Sequence, residues 1–190
     1  MIESLLNPPG PARPSSYYVI RQGDAYGLNL ASGYWLDAEE FESLVTKANL
    51  LVDRSPAEAM DLYSRGFELY EGDYLACAPY EDWCSAERER LFSLYLRSSS
   101  RLAKMLAAAE RYDECIAVAE KILTRDDCWE EAYRLLMFCH ARLGSRSAAA
   151  RAFERCTERL ANGLSVSPMP STVRLYQQIL QHVGDRVELA

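Results

Sequence analysis

The 190 residues hold 21 Lys and Arg against 28 Asp and Glu, a net charge of −7, which argues against duplex DNA binding by this chain alone because such binding runs on clustered cations. A hydrophobic content of 49% and 12 tyrosines suffice for a folded core and exclude general disorder. No apolar run approaches the roughly 20 residues of a membrane span, and no signal-peptide pattern opens the chain, so a cytoplasmic protein of about one domain is expected.

Pro8, Pro9, Gly10, Pro11 and Pro14 make residues 1–16 an irregular stretch. Tyr17 to Arg21 and Ala25 to Leu30 are β-favouring runs around Gln22-Gly23-Asp24, the pattern of a hairpin. A lone hairpin is marginal in water, so this one is expected to lean on something else. From Asp37 the apolar period changes from 2 to about 3.6. Asp37 and Glu40 stand at capping-box spacing, and Phe41, Leu44, Val45, Ala48, Leu51 and Val52 form one stripe. Ser55, Pro56 and Glu58 start a second helix, which carries Met60, Leu62, Tyr63, Phe67 and Leu69 and is expected to stop at Gly72. A loop through Pro79 leads to a long helix from about Tyr80–Trp83 to Ala109. Trp83 there is expected to pack against a neighbouring helix. Helices follow at about 111–125, 129–143, 145–162 and 170–183, which makes seven in all.

A 34-residue shift lays Arg97–Asp127 onto Glu131–Ala161. Leu102 falls on Leu136, Glu110 on Gly144, Cys115 on Ala149, Ala119 on Phe153 and Ile122 on Cys156. Thirty-four is the tetratricopeptide period, with small residues where helices touch and a turn residue between them. The string Tyr112-Asp113-Glu114-Cys115-Ile116 fits the same repeat, whereas Ser99, Tyr133 and Glu110 depart from it. The expected fold is all-α: a tetratricopeptide-like array of about seven antiparallel helices with a small N-terminal β-hairpin.

Five strings in order resemble the bacterial transcriptional activator domain of antibiotic-regulatory-type regulators. They are Leu69-Tyr70-Glu71-Gly72-Asp73-Tyr74-Leu75, Glu81-Asp82-Trp83, Glu87-Arg88-Glu89-Arg90-Leu91, Glu130 through Met137, and Pro170 through Tyr176. The resemblance covers about Asp37 to Gln181, with an added proline, Pro168, ahead of the last string. In that family the module follows a winged-helix DNA-binding domain, whose closing strand Ala25-Tyr26-Gly27-Leu28-Asn29 resembles. Leu5-Leu6-Asn7-Pro8 looks like the end of its recognition helix. The resemblance implies residues 1–36 as a remnant of that domain, 37–184 as the activation and interaction domain, and 185–190 as a tail. An ordinary N-terminal appendage is the alternative for the hairpin. The implied function is support of transcription activation through protein contacts: self-association, a possible dimer, or a contact to the transcription machinery or a regulatory domain. DNA would be reached only through the winged-helix domain. A free-standing tetratricopeptide adaptor is the alternative.

No catalytic constellation stands out. His140 and His182 lie far apart, Ser98-Ser99-Ser100 has no histidine nearby, and no phosphate loop exists. No cofactor or metal site is expected. The six cysteines show no CxxC pair and read as core thiols. The first helix of each pair lines the concave face of a tetratricopeptide array, and projection onto that face gathers Arg97, Lys104, Arg134, Phe138 and Arg142. A cationic groove with one aromatic would suit an acidic or phosphorylated segment. The alternative is that these cations are solvated or paired with neighbouring acids.

Overall fold

The change of period at Asp37 is where the helical array begins. The computed structural model describes residues 18–29, 31–77 and 82–181. Strands β1 (Val19–Gln22) and β2 (Ala25–Leu28) pair antiparallel with Ile20 opposite Gly27. Gly23 turns between them at φ 65°, a left-handed conformation that glycine adopts without steric cost. The irregular stretch 1–16, Tyr17 and Leu30 of the expected hairpin, the Pro79 loop and the tail 185–190 lie outside the described residues.

Seven α-helices follow among the described residues. They are α1 (Asp37–Leu51), α2 (Pro56–Leu69), α3 (Ser85–Ala108), α4 (Tyr112–Arg125), α5 (Glu130–Arg142), α6 (Arg146–Leu164) and α7 (Pro170–Gln181). Consecutive helices pack as pairs, α1 with α2, α3 with α4 and α5 with α6. The pairs stack through α2 on α3 and α4 on α5, and α3 also meets α5 directly. That is the arrangement of a tetratricopeptide-like array. α7 packs across α5 and α6. No described helix is long and apolar enough to cross a membrane.

The 34-residue register holds in the backbone. Arg111 donates its N–H to the Leu106 carbonyl at 2.9 Å, and Ser145 donates to the His140 carbonyl at 2.8 Å. Each bond closes a Schellman turn around a residue at positive φ, Glu110 at 59° and Gly144 at 76°. Behind these turns Cys115, Ala149, Ala119, Ile122 and Cys156 are fully buried. Each buried Leu at the paired positions 102 and 136 contributes about 1.5–3 kcal/mol relative to an exposed one.

Three local expectations are corrected. Leu36 is the N-cap of α1 and its carbonyl accepts the Glu40 N–H, so Asp37 takes the first helical position rather than the cap. Its carboxylate still faces the positive end of the dipole, and it accepts the Ala38 N–H at 2.8 Å. α2 ends at Leu69 rather than at Gly72, because Tyr70 turns inward to stack on Tyr95 with ring centroids 4.4 Å apart. Trp83 is 67% exposed. The chain enters α3 through a 3₁₀ turn, Asp82–Cys84, that buries Cys84 instead.

Candidate interaction groove

α3 carries Arg90, Arg97, Arg101 and Lys104 at spacings of 7, 4 and 3 residues, which is one face of a helix. Val45 and Asn49 of α1 and Glu131 of α5 stand opposite, and together with Leu94, Ser98 and Ser100 they line an open groove of about 590 Å³. Val45 and Leu94 belong to or border the core, while the cations are exposed along the groove.

The cations differ in what holds them. Arg90 is clamped by two carboxylates, Glu42 at 2.6 and 2.8 Å and Glu87 at 2.8 and 2.7 Å. Its guanidinium hydrogen bonds hold both carboxyls below their ordinary value. Lys104 pairs with Glu131 at 2.5 Å. Arg101 donates to the Asn49 side-chain oxygen at 2.6 Å, and the same oxygen accepts the Tyr63 hydroxyl at 2.6 Å. Burial pushes the Tyr63 phenol up, while Arg101 pulls it the other way. Arg97 donates its Nε to the Ser93 carbonyl of its own helix at 3.2 Å. Among the described residues, neither Arg97 nor Arg101 has a carboxylate within salt-bridge distance.

The structure brings together Arg97 and Lys104 of the residues expected to converge, and separates the other three. Arg134 points at α7, donating to the Thr172 hydroxyl at 3.2 Å with Glu131 at 3.9 Å, and its side chain is only 16% exposed. Arg142 lies over the Tyr112 ring, donates to its hydroxyl at 2.9 Å and pairs with Glu110 at 3.4 Å. Phe138 meets Tyr112 edge-on at 6.2 Å and fills the α4–α5 contact. A four-cation surface is therefore not assembled: Lys104, Arg134 and Arg142 are engaged by neighbouring helices, and of the four Arg97 alone has no acid within salt-bridge distance among the described residues. Arg90, Arg101 and Asn49 were missed by the projection. The helical spacing of the α3 cations was the available signal for the two arginines, and none pointed to Asn49 on α1.

Other clusters serve the fold. Asp126, Asp127 and Cys128 offer three ligand atoms within 4.8 Å of one another. Asp126, however, accepts the Cys128 N–H in the turn, and Asp127 pairs with Arg159. The cysteines among the described residues are free thiols, and Cys84, Cys115, Cys139 and Cys156 are buried. Burial pushes the Cys156 thiol up to about 12. His140 is half-buried, which lowers its affinity for a proton, and His182 lies outside the described residues. The family strings have structural work of their own. Arg88 of α3 donates to the carbonyls of Tyr74 and Leu75, and Arg125 of α4 lies over Tyr70 and bonds the Glu71 carbonyl at 2.5 Å.

Among solved structures, the C-terminal tetratricopeptide-containing domain of a Plasmodium falciparum FK506-binding protein superposes with a TM-score of 0.55. It is 14% identical over 77% of this chain and 91% of that one, a likeness of fold alone. No curated protein matches the sequence significantly. The family model described as the bacterial transcriptional activator domain matches residues 36–180. The chain belongs to the bacterial transcriptional activator domain family, a regulatory family built on a tetratricopeptide-like array.

Proposed function

We propose that this chain is the protein-interaction module of a cytoplasmic bacterial transcription regulator, and that it supports activation through a partner seated in the α1–α3–α5 groove. The observation that carries the reading is that groove itself, lined by the first helix of each of the three pairs in a family whose role is regulatory. Arg97 and Lys104 support it as rim residues, whereas Arg134, Phe138 and Arg142 contribute packing. The partner is a further domain of the regulator, a second copy, or the transcription machinery. The hairpin fits the reading of residues 1–36 as the end of a DNA-binding domain, since Ile20 and Tyr26 are exposed on a pair of strands that is marginal by itself. A free-standing adaptor has no support from the family match.

The test uses the full regulator and a promoter reporter. Arg97→Glu combined with Lys104→Glu is expected to abolish activation while operator binding and helical content stay unchanged. Reporter output equal to wild type would sink the groove as the working surface.

A further inference from the structure

The geometry points to an extended acidic peptide as the ligand of this groove, its carboxylates held by Arg97 and Arg101 with Asn49 fixing the second guanidinium; the assignment rests on the interaction reading above. The two arginines are the rim cations that the fold leaves without an acid among the described residues. They stand one turn apart, and like charges at that spacing disfavour a helix. An anion lying between them removes that repulsion.

Donors remain on both. Arg97 commits its Nε to its own helix, which leaves the two terminal nitrogens of its fork toward the groove side. Arg101 commits one terminal nitrogen to Asn49, and the Tyr63 hydroxyl fixes that oxygen from behind, so the guanidinium is preorganised before any ligand arrives. Spacing selects the form of the ligand. At about 1.5 Å per residue the two arginines lie about 6 Å apart along the axis. An extended chain advances about 3.3 Å per residue, so carboxylates at alternate positions are about 6.6 Å apart and match that step. The intervening side chains of such a strand face away from α3, toward the α1 wall where Val45 lies. A single compact anion between the arginines would leave the apolar side of the groove uncontacted.

The probe is a fluorescein-labelled dodecapeptide alternating glutamate and leucine, titrated into the 190-residue chain and read by fluorescence anisotropy. The control peptide carries glutamine in place of glutamate. Binding of the glutamate peptide alone is expected, weakening as salt rises. Arg97→Gln with Arg101→Gln, checked for wild-type helicity and melting, should weaken it at least tenfold. Arg174→Gln with Arg151→Gln makes the same charge change on exposed positions of α7 and α6 and should leave it unaltered. The assignment is overturned if the glutamate peptide does not bind, if the glutamine peptide binds as well, or if the α6–α7 variant weakens binding equally. Should the peptide fail while Arg97→Glu/Lys104→Glu still abolishes reporter activation, the interaction reading stands and only the acidic ligand falls.

Discussion

The α3–α4 and α5–α6 pairs are one scaffold used twice with opposite surfaces. Their turns have the same hydrogen-bond pattern and a positive φ at the same position, and their helix contacts bury residues at matching positions. On the groove side the same 34-residue register puts Glu131 where Arg97 stands, Leu135 where Arg101 stands and Phe138 where Lys104 stands. Leu135 is fully buried, while Arg101 is exposed. The core tolerates little change because its volume is fixed by helix separation. The groove-side position changes with what covers it, solvent at Arg101 and the core at Leu135. A repeat therefore predicts the fold from its conserved half and says nothing about the site from its divergent half.

Equal truncations at matching core positions are the strongest attack on that equivalence. Leu102→Ala and Leu136→Ala should each destabilise by about 2–5 kcal/mol, since both remove a buried side chain and leave a cavity. Denaturant melts in which one costs less than a third of the other would break the equivalence of the two units. Overpacking probes the contact from the other direction. Ala149 is fully buried between α6 and its neighbours, so Ala149→Leu should cost about 1–3 kcal/mol. An unmoved midpoint would take Ala149 out of the helix contact.

The turns give a smaller and signed effect. Glu110 sits at φ 59°, where a side chain is strained, and its ion pair with Arg142 is exposed and weak. Glu110→Gly should stabilise by about 0.5–1 kcal/mol, and Gly144→Ala should destabilise by about as much. Melting shifts of the same sign would contradict a shared Schellman turn. The smallest expected effect is a pH dependence. The Arg90 guanidinium holds the folded Glu42 and Glu87 carboxyls below their ordinary value. Their contribution is present above that value and is lost as pH falls through the depressed folded values. All three side chains are nearly half exposed, so the effect is strongly screened. The melting temperature of Arg90→Gln should lie slightly below wild type near neutrality and converge with it in acid. A gap that widened as pH fell would reverse the sign and reject the clamp.

What was legible in the sequence were the features that act locally or repeat. Pro56 and Pro170 open helices and Gly144 closes one, each through its own backbone preference. The 34-residue register located the buried small residues because close helix contacts require them. The groove was legible only in part. Whether a cation is available depends on acids from other helices, and the pairings Lys104–Glu131 and Arg142–Glu110 exist only once α3, α4 and α5 are in place. Arg134 was misread for the same reason, since Thr172 on a helix 38 residues onward engages it. Arg101 matters through Asn49, 52 residues earlier, a partner that no local pattern announces.

α7 has a consequence for length. Glu130 of α5 accepts both the Met169 N–H, at 2.6 Å, and the Thr172 hydroxyl, at 2.5 Å, so it latches the start of α7 onto the last pair. Behind the latch Phe153 and Tyr176 stack at 4.1 Å, and Leu175 and Ile179 are buried where the first helix of a fourth pair would lie. The outer side of α7 exposes Arg174 and Gln177. Stacked units behave as a growing polymer whose last exposed face invites another monomer. Among the described residues α7 acts on the stack as a chain-capping group does on a polymer: it consumes the adhesive face of the α5–α6 pair.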